Sequence, residues 1–163
     1  MANGGPYVAV VGAGDADQQT CAKAEAVGLG LARRGAVVVC GGLGGVMEAA
    51  SRGASAERGT TVGILPGNDR AAANAFVDVV LPTGMGEARN ALVVTAADAV
   101  VAVGGGFGTL SEIALALRRG IPVVGVDTWE LARGGAPVDA VIVVDDPDEA
   151  AAVAVILAVE RRG

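Results

Sequence analysis

Short apolar runs alternate along the chain with longer segments in which apolar residues recur every three or four positions. The short runs are rich in valine, as buried strands are. The predicted strands are Tyr7–Val11, Val37–Cys40, Thr61–Leu65, Phe76–Leu81, Ala99–Val103, Val123–Val126 and Val141–Val144. The longer segments each present one apolar helical face. The predicted helices are Gln18–Arg34, Val46–Glu57, Gly86–Ala97, Thr109–Arg119 and Asp146–Arg162.

This alternation predicts the class of fold. Strands joined by crossover helices lie parallel, and the crossovers are right-handed. We therefore expect an α/β protein of Rossmann-like type, a three-layer αβα sandwich whose mostly parallel sheet has about seven strands. Pro66–Asn74 and Asp127–Pro137 are predicted to be loops. No change of composition divides the chain, so residues 1–163 are expected to form one domain.

The composition fits such a sheet and excludes several kinds of chemistry. Hydrophobic residues make up 52% of the chain but aromatic residues only 2%, which is typical of valine-rich strands under alanine-rich helices. The chain has no histidine, which excludes Ser-His-Asp triads and HExxH zinc sites. Lys23 is the only lysine, lies in a predicted helix and is not expected to bind pyridoxal phosphate. A Walker A loop is missing, and neither a metal nor a resident cofactor is expected.

Charge and hydropathy point to a cytoplasmic protein with a small-molecule ligand. The net charge is −6 and no basic stripe is present, so nucleic acid is not expected as a partner. No apolar run approaches the length of a membrane span. Residues 1–6 lack the basic region and apolar run of a signal peptide. Cys21 and Cys40 fit a reducing compartment as small buried side chains.

Glycine-rich loops follow three of the predicted strands, where open α/β sheets bind their ligands. Gly12 and Gly14 end the first strand, but Asp17 stands where a dinucleotide fingerprint needs its third small residue, and NAD or FAD binding is disfavoured. This loop is therefore either a tight turn or a ligand contact. The second loop has four glycines in five residues before a helix, more than a turn requires. Phosphate contacts are predicted at Gly42, Gly44 and Gly45.

The strongest signal for an anion site is the third loop, 104–109, between the most apolar strand and a helix. Its backbone amides and the Thr109 hydroxyl can cradle a phosphate at the positive end of the helix. Thr109 and Glu112 also fit a capping box, in which Thr109 caps the helix and Glu112 folds back to it. A capping box does not account for the glycines. Ligand contacts are therefore predicted at Gly105, Gly106, Phe107, Gly108 and Thr109.

Three further side chains are candidates for the same site. Arg89 follows a glycine-rich turn and can grip a phosphate bidentately, although a lone arginine on a helix is often solvated or ion-paired. Met47 is a candidate apolar contact for a base, and Asp127 is a candidate ribose ligand. Trp129 either covers the site or fills an interface.

The segments Gly41–Met47, Glu87–Asn90 and Gly104–Glu112 together resemble the LOG family, whose members are often mislabelled lysine decarboxylases. The resemblance covers about residues 7–127 and rests on the signature PGGxGTxxE with an upstream Arg-Lys pair. Gly104 replaces the proline of that signature, and Asn90 replaces the lysine. The best-known members are cytokinin riboside 5′-monophosphate phosphoribohydrolases. Relatives include a short bacterial subgroup, which this sequence is most similar to, and algal molybdenum-cofactor carrier proteins.

The resemblance implies that Arg89 and Glu112 are the catalytic pair and that the protein is a homo-oligomer, a dimer or tetramer. Two functions then remain open. The first is hydrolysis of the N-glycosidic bond of an AMP-like nucleoside 5′-monophosphate, with Glu112 stabilising the oxocarbenium charge or orienting water. The second is a carrier or sensor that holds a nucleotide or a pterin-type cofactor unchanged. Lysine decarboxylation is not expected, because only Lys23 could hold its cofactor.

Overall fold

A computed structural model describes residues 4–163. Met1–Asn3, part of the segment in which no signal peptide is expected, lie outside the described residues. The elements in chain order are β1 (Tyr7–Val11), α1 (Gln18–Arg33), β2 (Val37–Cys40), α2 (Val46–Ala56), β3 (Thr61–Leu65), β4 (Val79–Pro82), α3 (Asn90–Thr95), β5 (Ala99–Val103), α4 (Phe107–Arg118), β6 (Val123–Val126), β7 (Ala132–Arg133), β8 (Ala136–Pro137), β9 (Val141–Val143) and α5 (Pro147–Arg162).

Seven strands form one parallel sheet in the order β4-β3-β2-β1-β5-β6-β9. Every pairing in that sheet is parallel, and β1 lies between β2 and β5, with Val8 opposite both Val38 and Ala99. The short strands β7 and β8 form a separate antiparallel hairpin. The predicted Rossmann-like α/β sandwich is confirmed.

Alternate residues of the central strands face two different helical layers. Val8 and Val10 of β1 belong to an apolar cluster with residues of α1, α2 and α5. Ala9 and Val11 belong to a second cluster with residues of α3 and α4. Both faces of the sheet are thereby covered, which is why its strands are almost uniformly apolar.

Small residues allow α1 and α2 to pack closely on one face. A Cβ at Gly28 would lie 2.8 Å from the carbonyl carbon of Ala50, and one at Gly53 would lie 2.9 Å from the backbone nitrogen of Leu29. Real Cβ contacts of that length do not occur, so larger side chains at either position would separate the helices. This contact holds α2 against α1, and the first turn of α2 carries Met47, which borders the site described below.

The predicted fourth strand, Phe76–Leu81, begins too early. The Asn74 side chain accepts a hydrogen bond from the Phe76 amide at 3.1 Å and donates one to the Leu43 carbonyl at 2.9 Å. The Phe76 carbonyl accepts a hydrogen bond from the Thr61 hydroxyl. These side-chain bonds hold the segment before Asp78 as a turn, so the ladder starts only at Val79.

Three other predicted segments differ from the observed structure. The helix expected over Gly86–Ala97 is a 3₁₀ turn, Gly86–Arg89, followed by the short α3. The loop expected over Asp127–Pro137 contains the β7–β8 hairpin, whose turn uses Gly134 and Gly135 with positive φ. The helix expected from Thr109 begins at Phe107.

Across residues 4–163, the helices lack the combined length and apolar character that a bilayer span requires.

Candidate functional site

A cavity of about 440 Å³ opens at the carboxyl ends of β1 and β5. The strand order reverses between these two strands, and such switch points are where open α/β sheets bind ligands. The volume of the cavity lies within the range of small-molecule sites. The lining residues are Gly12, Ala13, Gly14, Asp15, Met47, Pro66, Gly86, Glu87, Arg89, Asn90, Gly106, Gly108, Thr109 and Glu112.

The amino terminus of α4 reaches this cavity without a side-chain cap. Its N-cap is Gly106, and the first backbone bond of the helix runs from the Leu110 N–H to the Gly106 carbonyl at 3.0 Å. The amides of residues 107–109 therefore lack intrahelical acceptors. Asp17 and Asp146 fill the equivalent position of α1 and α5 with carboxylate caps. The bare end of α4 is a place where backbone N–H groups and the helix dipole favour an anion.

Two glycines of this helix end are not required by protein packing. A Cβ built on Gly106 or on Gly108 meets no atom within 4 Å, and neither residue has a positive φ. Both line the cavity. The missing side chains therefore leave open space in front of the α4 amides.

Thr109 and Glu112 do not form the capping box that their spacing also allowed. Gly106, with φ −98° and ψ −158°, takes the N-cap position, so Thr109 lies inside the first turn of the helix. Thr109 is 3% exposed and Glu112 is 8% exposed. Because the helix starts two residues earlier than predicted, both side chains point into the protein at the cavity wall.

Arg89 is buried instead of solvated, and it forms no ion pair with any residue of the described range 4–163. It is 8% exposed, and its Nη1 donates to the carbonyl oxygens of Gly41 and Ile64, each at 2.6 Å. Its Nε is buried and has no partner among residues 4–163. The Nε and Nη2 atoms form the fork that engages phosphate or carboxylate oxygens. The Arg89 side chain is thus anchored through Nη1, while Nε, one of the two donors of its anion-binding edge, has no partner among residues 4–163.

Glu112 is a buried carboxyl group at the same wall. Burial raises its pKa from 4.5 to about 7, although the positive charge of Arg89 acts in the opposite direction. Burial likewise lowers the pKa of the Arg89 guanidinium, against the charge of Glu112. Within residues 4–163, the two groups do not form an ion pair with an N···O distance of 4.0 Å or less. Neither group is therefore paired with the other at contact distance, and both line the cavity.

The structure separates the other predicted contacts into three groups. Gly12, Gly14 and Met47 line the same cavity as Arg89 and Glu112. Gly105 and Asp127 instead line a neighbouring pocket of about 350 Å³. Asp127 forms an ion pair with Lys23 there and has a side chain that is 59% exposed. The remaining predicted contacts, Gly42, Gly44, Gly45 and Phe107, do not line the main cavity.

Sequence reasoning missed several residues of the cavity wall. Asp15, Glu87 and Asn90 line it, and each lies within a few positions of a predicted contact. The missed signal was this adjacency to the glycine loops. Pro66 directly follows β3, so the rule that ligands lie beyond strand ends could have identified it. In the part of the chain that the structure describes, no group of three or more metal-ligating side chains comes together.

Known proteins are similar to this chain in sequence and in fold. A sequence model of the SLOG cluster4 family matches residues 5–152. An uncharacterized protein of Archaeoglobus fulgidus is 47% identical over 113 residues, which are 69% of this chain and 74% of that protein. The molybdenum cofactor binding protein of Rippkaea orientalis superposes with a TM-score of 0.83 at 33% identity, over 96% of this chain and 98% of that one. The Moco carrier protein of Chlamydomonas reinhardtii also gives 0.83, at 34% identity, over 96% and 99%.

Proposed function

The chain belongs to the SLOG cluster4 family, and we propose that it is a carrier that binds a molybdenum-cofactor-like pterin phosphate in the cavity at the ends of β1 and β5. The phosphate occupies an anion seat, formed by Gly106, Gly108 and the first amides of α4. The molybdenum compound is cargo and leaves the site chemically unchanged.

The observation that carries this proposal is the coincidence of two unsatisfied donor groups at one cavity. The first is the uncapped start of α4, where Gly106 and Gly108 face open space. The second is the buried Nε of Arg89, on a side chain that lines the same cavity. A buried unpaired donor costs free energy unless a ligand or water satisfies it. An oxyanion supplies acceptors for both groups.

The acidic side chains of the cavity wall favour a ligand that also carries hydrogen-bond donors. Asp15 and Glu87 line the cavity, and ionised carboxylates only accept hydrogen bonds. The aminopyrimidinone edge of a pterin presents adjacent N–H donors, which a carboxylate can accept as a pair. The corresponding edge of adenine presents one donor and one acceptor. The wall therefore supports a pterin over an adenine nucleotide.

Anaerobic loading of the purified protein with molybdenum cofactor released from a molybdoenzyme tests the proposal. Molybdenum that stays with the protein through gel filtration is measured by mass spectrometry of the metal. We expect the wild-type protein to retain molybdenum and Gly106→Asp to lose it, because a carboxylate at the N-cap would occupy the amides of α4. Ala114→Ser, in the same helix but on its exposed side, is the matched control and retains it. Wild-type protein that retains no more molybdenum than an unrelated protein overturns the proposal.

A second candidate function is favoured by Glu112. A carboxyl group with a pKa near neutrality inside a ligand cavity suits general acid-base chemistry. In that case the protein hydrolyses a nucleoside 5′-monophosphate. Water bonds to C1′ of the ribose, the C1′–N bond breaks, and Glu112 passes the proton of the water to the departing base. Free base and ribose 5-phosphate are the products.

Chromatography of the protein incubated with AMP and GMP separates the two functions. Release of free base that disappears in Glu112→Gln supports the hydrolase. Nucleotide that binds and remains intact in the wild-type protein supports the carrier.

A further inference from the structure

The glycine loop before α4 is held from outside by the segment that follows β6. The Thr128 hydroxyl donates to the Gly104 carbonyl at 2.6 Å, and the Gly104 N–H donates to the Val126 carbonyl at 2.9 Å. The indole Nε1–H of Trp129 donates to the Gly106 carbonyl at 3.1 Å. A loop of consecutive glycines has high conformational freedom, and these bonds restrict it.

The Trp129 bond acts on the peptide unit that begins the anion seat. The Gly106 carbonyl accepts both the Trp129 indole and the Leu110 amide. No cis peptide bond occurs in the described part of the chain, and in a trans peptide the C=O and N–H groups point in opposite directions. Fixing the Gly106 oxygen toward the helix therefore fixes the Phe107 N–H away from it, toward the open end of α4.

The aromatic ring of Phe107 is held outside the cavity by the same tryptophan. Its ring centroid lies 5.6 Å from that of Trp129, with the planes tilted by 35°. Phe107 is 83% exposed although it directly follows Gly106. Trp129 itself lines two neighbouring pockets and not the main cavity. It therefore contacts the loop from behind.

From these contacts we infer that Trp129 is a positioning residue for the anion seat, an inference that rests on the proposed function. It orients the Gly106–Phe107 peptide and keeps the Phe107 ring away from the opening. An anion then binds to amides that are already aligned, without the entropic cost of ordering a glycine loop.

Inorganic phosphate is a probe of this role that does not require the natural ligand. We measure the rise in melting temperature that phosphate causes, relative to chloride at equal ionic strength, for the wild-type protein, Trp129→Phe and Glu130→Gln. Trp129→Phe keeps an aromatic ring but loses the N–H donor. We expect its phosphate affinity to fall about fivefold, the effect of one hydrogen bond. Glu130→Gln changes the exposed neighbour of Trp129 outside the main cavity and keeps the indole bond, and its phosphate affinity should change less than twofold.

The outcomes separate this inference from the proposed function. No phosphate effect on the wild-type protein overturns the anion seat itself. A phosphate effect that is equal in wild-type protein and Trp129→Phe overturns the role of Trp129 alone, even if the variant melts at a lower temperature. Trp129 is the only tryptophan, so its emission in the wild-type protein is a second readout that needs no variant. Phosphate binding that strongly shifts the wavelength of that emission, as a rearranged indole would, also overturns the inference, because the seat would then not be aligned beforehand.

Discussion

Arg89 lies in the space that a side chain at Gly41 would need. The Nη1 of Arg89 donates to the Gly41 carbonyl at 2.6 Å, and a Cβ at Gly41 would overlap that same nitrogen and lie 2.6 Å from the Met47 sulfur. A glycine at the end of β2 is thus what admits the guanidinium to the cavity wall. The two residues are 48 positions apart in the chain.

Gly41→Ala should displace Arg89 and weaken ligand binding. We expect the free energy of unfolding to fall by about 1–3 kcal/mol, as for overpacked core positions, and the retained molybdenum to fall with it. Urea denaturation and the loading assay measure the two effects. Gly44→Ala is the matched control in the same loop, because its Cβ would meet only the Gly14 carbonyl oxygen, at 3.4 Å. Equal losses in both variants would contradict the specific role of Gly41.

Gly108→Ala should stabilise the fold and weaken anion binding at the same time. Alanine is a better helix former than glycine by up to about 1 kcal/mol, and a Cβ at this position meets no protein atom within 4 Å. The methyl group would nevertheless stand in the cavity that Gly108 lines. Thermal unfolding with and without phosphate measures both effects. A variant that gains stability and binds phosphate as well as the wild type would show that Gly108 lies outside the seat.

Glu112 should make stability depend on pH in a direction opposite to that of most carboxyl groups. Its folded-state pKa of about 7 exceeds its ordinary value of 4.5, so the folded protein keeps a proton that the unfolded chain has released. This contribution is fully present below pH 4.5 and is lost as the pH rises to about 7. The full effect on the free energy of unfolding is roughly 3 kcal/mol.

Comparison of Glu112→Gln with the wild-type protein isolates that contribution. The variant should gain free energy of unfolding relative to the wild type as the pH is raised from 5 to 8, measured by urea denaturation. A difference between the two proteins that stays constant over this range would mean that Glu112 titrates near its ordinary value.

Asp127→Asn should leave ligand affinity within about twofold of the wild-type value, because Asp127 pairs with Lys23 beside a different pocket. Asparagine tolerates the positive φ of 47° at this position, and loss of one exposed ion pair costs about 0–1 kcal/mol. The loading assay checks the affinity, and Gly106→Asp serves as the variant that must lose molybdenum. A large loss in Asp127→Asn would restore it as a ligand contact.

Much of the cavity wall could be found from the sequence, because its residues follow strand ends. Gly12, Gly14, Gly106, Gly108 and Thr109 were predicted in this way. Arg89 and Glu112 were predicted from a neighbouring turn, from a helix start and from the resemblance to the LOG family. All of these residues line one cavity. Asp127 also follows a strand end but faces Lys23 instead. Position after a strand indicates the correct edge of the sheet, yet neighbouring strands at that edge open onto different pockets.

The first residue of a helix was less predictable where more than one residue could serve as its N-cap. Thr109 and Glu112 have the spacing of a capping box, but Gly106 serves as the N-cap and places both inside α4. A glycine fits at that position because no neighbouring atom lies within 4 Å of the place of its missing Cβ, so packing there does not depend on a side chain. Which residue caps a helix depends on the packing of the whole first turn, and three-residue spacing does not report it.

By itself, the sequence determined the order of strands and helices, the parallel sheet and the glycine-rich edge that borders the cavity. Those properties follow from local periodicity and from the short reach of crossover connections. Only the tertiary structure decided which glycines face open space, that Arg89 is anchored by Gly41 and Ile64, and that Glu112 is buried beside it. These features depend on segments far apart in the chain that meet only when the sheet is assembled, and their energies come from burial and contact, which residue spacing does not record.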